Sequence, residues 1–232
     1  MNSFLLQIPL STDSLGAPVI TEKTLSVIDL ITSGGIGGNL VMGTLGLLSI
    51  FAIYILIERF SAIRKASIED NAFLKSIQNF VEAKDIEAAK TLCHNTDSPI
   101  SRMIEKGVNR INKPMTDISA AIENQGKLEV FKMENNLANL ATISGAAPMI
   151  GFLGTVIGMI VAFHEMASAG GNIDVEMLSK GIYTAMTTTV AGLIVGIIAF
   201  IAYNYLVSKV DKVVFMLEAK TTEFLDLLHH NE

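Results

Sequence analysis

Three long runs of this sequence carry no charged side chain: positions 30–57, 135–164 and 181–208, with only His164 able to titrate inside them. A helix of 28 residues is about 42 Å long, against about 30 Å of hydrocarbon in a bilayer. Each run can therefore span a membrane with a turn or two left for tilt. In a water-soluble fold, the rest of a 232-residue chain would have to cover three such helices, which is too little chain for the task. Hydrophobic residues make up 50% and charged residues 17%, which excludes a disordered chain. The net charge of -6 leaves no basic footprint for nucleic acid. A single cysteine, Cys93, allows neither an intrachain disulfide nor a multi-cysteine metal site. The opening Met1-Asn2-Ser3-Phe4 lacks a basic leader, so insertion is expected to use the three runs themselves.

The runs differ in character. The first is the most apolar, from Leu40 to Ile57, and the stretch Ser33 to Asn39 before it reads as a turn because it is crowded with glycine. The second and third are rich in Gly, Ala and Thr, the composition of helices that face other helices. Lys and Arg cluster at one set of ends: Arg59, Arg64 and Lys65, then Lys127 and Lys132, then Lys209 and Lys212, against only Lys23 and Lys180 on the other side. The positive-inside rule puts the N-terminus outside, and the segment between runs one and two and the C-terminal tail in the cytoplasm. That middle segment, 58–134, holds 12 basic and 12 acidic residues and has helical spacing at Phe73, Ile77, Phe80 and Val81. Ser98-Pro99 and Pro114-Met115-Thr116 look like helix starts. From Thr116 to Glu134 only Gly126 is a breaker, so span two is expected to continue into the cytoplasm; span three is expected to do the same through Leu228.

The expected fold is an all-α integral membrane protein with three transmembrane helices, spans two and three extending into a cytoplasmic helical bundle. The expected layout is an external N-terminal segment 1–38, spans at 39–58, 137–165 and 180–207, a cytoplasmic helical region 59–136, an external loop 166–179 and a cytoplasmic tail helix 208–232.

Familiar catalytic patterns fail. His164-Glu165-Met166-Ala167-Ser168 has serine where H-E-x-x-H needs its second histidine. Gly126-Lys127-Leu128 lacks the rest of a P-loop, and the glycines at 34–38 miss G-x-G-x-x-G at Leu40. No enzyme activity, cofactor or metal is expected. Two other patterns are informative. On span two Ala147, Gly151, Gly154 and Gly158 recur at three or four residues and line one face, which lets another helix approach closely; an oligomer is expected to depend on that face. On span three Thr184 and Thr188 share a face, with Thr189, Gly192 and Gly196 on the neighbouring one. Together with Thr155 on span two, these threonines are expected to line a narrow path for water or ions. No carboxylate lies inside any run. A hydroxyl orients water or a carboxylate but does not store a proton near neutral pH, so a titrating group for ion-driven work has to come from another polypeptide.

These residues resemble the MotA/TolQ/ExbB proton-channel family, most of all its ExbB branch. The likeness runs through Gly34-Gly35, Ile57-Glu58-Arg59-Phe60, Asp97-Ser98-Pro99, the stretch Pro148 to Gly158, Gly181-Ile182 and Ala202-Tyr203-Asn204. The resemblance implies a homopentamer in the bacterial inner membrane, with its N-terminus periplasmic and an ExbD-like partner in its pore. It implies that the partner's aspartate carries the proton, and that the proton motive force is passed to a TonB-like protein to power outer-membrane import. It assigns the pore-lining threonines to Thr155 and Thr189. Thr184 stands where ExbB and TolQ members usually carry a glutamate. Alternative expectations are a TolQ-like or gliding-motor subunit, or a scaffold that conducts nothing.

Overall fold

The computed structural model describes residues 35–67, 71–168 and 175–230. Residues 1–34 of the expected N-terminal segment, Gly34 of the first shared motif among them, and residues 169–174 of the expected external loop lie outside the described residues. Among the described residues the regular structure is helical: α1 (Gly35–Ala66), α2 (Asn71–Glu82), α3 (Ile86–Asn95), α4 (Pro99–Val108), α5 (Met115–Glu134), α6 (Leu137–Ser168) and α7 (Val175–His230). Three stretches are long and apolar enough to cross a membrane: Gly37–Ala66, Met115–Ser168 and Gly181–His229. Around them Leu47, Ile50, Phe152, Leu153, Ile194 and Ile197 stand exposed on the surface, as lipid-facing or subunit-facing side chains do.

The fold has two ends. At one, α1, α6 and α7 pack on one another within the charge-free runs. At the other, α2, α4 and α5 pack against α7, and α3 packs on its neighbours α2 and α4. The second half of α7 continues straight from the span because nothing interrupts it; Leu206, Val210, Val213, Leu217, Phe224 and Leu228 form a buried stripe along it. At 56 residues α7 is about 84 Å long. The short helices start where local chemistry starts them. Ser98 caps α4 through a capping box with Ser101, and Pro99 follows in the first turn. Asp85 accepts from the Ala88 backbone N–H at 3.1 Å to start α3. Phe73, Ile77 and Val81 form the buried face of α2.

Two local expectations are corrected. The glycine-rich lead-in to span one is helical from Gly35, not a turn. A Cβ at Gly37 would lie 2.9 Å from Ile157 Cγ2 on α6, so glycine there serves close packing, which outweighs its poor helix propensity. Span two does not run unbroken into the polar end. The break falls at Asn135-Asn136, not at Gly126. Asn136 has φ of 64°, a conformation asparagine tolerates better than most residues. The break takes away the helical partner of the Lys132 carbonyl, and Arg59 Nη1 of α1 donates to it at 2.9 Å. Gly126 stays helical and leaves room for the Met103 side chain of α4, 2.9 Å from where a Cβ would be.

Candidate functional site

The site is built on the seam between α6 and α7, the most extensive helix contact among the described residues. Ala147, Gly151 and Gly154 are buried along it and Gly158 is half-buried. A Cβ at Gly151 would meet the Thr188 carbonyl at 2.8 Å and Gly192 Cα at 3.1 Å. A Cβ at Gly192 would meet the Ala147 carbonyl at 2.6 Å, and one at Gly196 would meet Pro148 Cδ at 2.7 Å. The small residues on the two helices thus face each other within one chain. The helix that the small face of span two meets is the chain's own α7. Pro148, which cannot donate a backbone hydrogen bond, sits here against Gly196, so the weakened turn of α6 is covered by protein.

The seam separates the four threonines into two pairs. Thr184 and Thr188 are buried on the side covered by α1. Gly38 lies over Thr184, with 3.7 Å from its Cβ position to Thr184 Cγ2. A Cβ at Gly154 would collide with Thr188 and come within 3.0 Å of Val41 Cγ1. Thr188 Oγ1 has two backbone acceptors in reach, Ala185 at 2.7 Å and Gly151 at 3.2 Å. Thr155 and Thr189 are half-buried, on the opposite flank of the seam. Gly158 faces Ala185, Gly154 faces Thr188 and Gly151 faces Gly192; this antiparallel register sets Thr155 and Thr189 at one level.

Both hydroxyls of that pair already have an acceptor. Thr189 Oγ1 donates across the seam to the Gly151 carbonyl at 3.1 Å, and Thr155 Oγ1 donates to the Phe152 carbonyl at 2.6 Å. Each oxygen keeps lone pairs for a water molecule or a neutral carboxylic acid. Rotation of the hydroxyl lets it donate to a carboxylate at the cost of its backbone bond. The pair can hold either protonation state of a carboxyl group brought to it, and the charge-free runs supply no such group.

A second polar centre lies at the other end, unremarked in the sequence reading. Glu129 of α5 is only 2% exposed. It accepts from Arg102 Nε at 3.1 Å and Nη2 at 2.7 Å, from Lys132 Nζ at 2.9 Å and from Gln125 Nε2 at 2.7 Å. Arg102 also reaches Asp97 at 2.6 Å. Burial opposes the Glu129 charge, but the hydrogen bonds from Arg102 and Lys132 outweigh it and hold the carboxyl below its ordinary value. The sequence carried a signal: Ile118, Ile122, Glu129 and Met133 form one helical stripe, so a carboxylate stands in a core position. Such a group needs partners.

Comparison with known proteins falls on these same elements. The profile of the MotA/TolQ/ExbB proton channel family matches residues 95–219, from the Asp97–Arg102–Glu129 cluster through both threonine pairs. An ExbB homolog of Methanothermobacter thermautotrophicus is 27% identical over 187 residues, 80% of this chain and 64% of that relative, so just under two thirds of its length is matched. The Tol-Pal system protein TolQ of Pseudomonas aeruginosa is 25% identical over 223 residues, 91% of this chain and 96% of that protein. The biopolymer transport protein ExbB of Helicobacter pylori is 40% identical over 79 residues, 34% of this chain and 54% of that protein. With three apolar helices, the small-residue seam and a profile covering more than half its length, the chain belongs to the MotA/TolQ/ExbB proton channel family.

Proposed function

We propose that this chain is the ExbB-like subunit of an inner-membrane motor driven by the proton motive force. In this reading five copies surround a pore, an ExbD-like partner occupies it, and the work reaches a TonB-like protein that powers outer-membrane import. The observation that carries the reading is the level pair Thr155 and Thr189 on the flank of the seam that α1 leaves uncovered. Two hydroxyls face outward from spans with no carboxylate of their own. They complement a carboxyl group supplied from outside the chain. Thr188 and Thr184 then serve the seam, between α7, α6 and α1. The Lys and Arg distribution supports a periplasmic N-terminus and a cytoplasmic bundle.

A TolQ-like subunit is the second reading, favoured by the match that spans 96% of a Tol-Pal system TolQ. Replacing both Thr155 and Thr189 by valine tests the common core of the two. Valine keeps the shape and removes the hydroxyl, so expression and assembly should survive while energised transport falls at least tenfold. The readout is growth limited by TonB-type import, beside sensitivity to envelope stress. Loss of growth alone supports the ExbB-like reading, and loss of envelope integrity alone supports the TolQ-like one. Full activity of the double variant on both readouts contradicts the assigned role of the threonines and supports a non-conducting scaffold.

A further inference from the structure

At the Lys- and Arg-bearing end of the spans, α1 and α7 enclose a cavity of about 200 Å³. Its floor is apolar, formed by the buried Ile63 and Leu206. The polar side chains among its lining residues are Arg64, Lys209, Ser67 and Tyr205. Phe60 and Tyr205 form its wall, stacked with centroids 6.3 Å apart and planes at 26°. Lys209 Nζ lies 5.5 Å from the Tyr205 ring centroid, close enough for a cation–π contact at the cavity wall. Among the described residues no carboxylate lines the cavity. Among the described residues neither cation has an acidic partner within ion-pair distance. Two cations on neighbouring helices repel each other unless an anion lies between them.

The surroundings decide what kind of anion. Lys209 is the first charge after the run 181–208, and Arg64 stands seven residues beyond the run 30–57, so the cavity lies where headgroups meet hydrocarbon. On α1 the cavity face continues toward the span as Ile57 and Ile53, one and two turns from Phe60, and both are exposed. On α7 it continues as Ile201 and Ile198, exposed in the same way. An anion seated here with two aliphatic tails would lay them along these isoleucines, whereas a free inorganic anion would leave the adjoining apolar strip unused. Basic pockets between helices at this depth suit phosphate headgroups, and aromatic rings at the same level are typical anchors.

We propose that this cavity binds the phosphate of an anionic phospholipid, with Arg64, Lys209 and Ser67 on the headgroup and the acyl chains along Ile53, Ile57, Ile198 and Ile201. The site is separate from the threonine pair and does not depend on which motor the chain serves.

The test is lipid titration of the full-length protein in detergent, followed by native mass spectrometry. Phosphatidylglycerol, phosphatidylcholine and inorganic phosphate are the three probes. Phosphatidylglycerol should bind at least tenfold more tightly than phosphatidylcholine, and equimolar inorganic phosphate should not displace it. Arg64→Gln with Lys209→Gln should weaken phosphatidylglycerol binding roughly 30-fold, at about a kilocalorie per basic residue, and leave phosphatidylcholine unchanged. Arg64→Lys keeps the charge and should keep most of the affinity; Lys113→Gln, on an exposed turn, should change nothing. If the double variant does not fold, the wild type still decides, because its phosphatidylglycerol affinity must fall as salt rises. Equal binding of the two lipids, displacement by phosphate, full affinity in the double variant or indifference to salt would each overturn the proposal.

Discussion

Glu129 has the most demanding environment of any carboxylate among the described residues. It is nearly fully buried, and its charge is met by Arg102, Lys132 and Gln125. Glu129→Gln would leave Arg102 with one acidic partner, the exposed Asp97. Because Arg102 itself is partly exposed, the cost should be about 1–3 kcal/mol, below that of a fully buried broken pair. The pH dependence has a definite sign. The folded-state pKa is held below the ordinary 4.5, so the stabilisation is complete above pH 4.5 and is lost as pH falls through the lower folded value. Thermal melts of wild type and Glu129→Gln should differ above pH 4.5 and converge in stronger acid; a gap unchanged in acid contradicts the charge-based account. The sequence made part of this legible, since a glutamate in an apolar stripe needs partners. It hid which ones, because Arg102 lies 27 residues away and no local period points to it. Cys93 is similar. Its thiol is buried, and burial, with Glu105 adding to it, pushes it up to about 12, so it is inert toward thiol reagents at neutral pH.

The α6–α7 seam is the element on which the site depends. Gly192→Leu places a side chain against the Ala147 carbonyl and the Gly151 backbone; backbone cannot yield, so the two helices must part. The variant should lose the folded monomer in detergent, seen as loss of helix signal and of a thermal transition. Gly43→Ala is the matching control. Nothing lies within 4 Å of its Cβ position, and alanine favours a helix over glycine by roughly 1 kcal/mol. An unchanged fold in Gly192→Leu would contradict the seam. The spacing of Ala147, Gly151, Gly154 and Gly158 made the small face visible in sequence. Spacing does not say whether the facing helix belongs to the same chain, and that is settled only by the antiparallel register with α7. The break at Asn135-Asn136 was hidden for a related reason. Asparagine permits the turn without demanding it, and the Arg59 contact that satisfies the freed Lys132 carbonyl spans 73 positions.

At the scale of the whole molecule the three apolar spans were readable directly from missing charges, while the packing of α2, α4 and α5 against α7 required the fold. Orientation is a separate matter, carried by the Lys and Arg distribution. Cys93 cannot report it, because a buried thiol of this kind resists labelling on either side of a membrane. A cysteine at Asn112, on the exposed turn between α4 and α5, can. In sealed spheroplasts an impermeant reagent should leave Asn112→Cys unlabelled until the membrane is opened; labelling before opening would invert the orientation. The central proposal is a division of labour, in which this chain supplies hydroxyls and a path and a partner supplies the group that carries the proton. Proton flux into vesicles under an imposed potential tests it most directly. Vesicles with this chain alone should leak no faster than protein-free vesicles. Vesicles with the ExbD-like partner should show uptake that disappears when the partner's aspartate becomes asparagine. Flux through this chain alone, equal to that of the complex, would contradict the account.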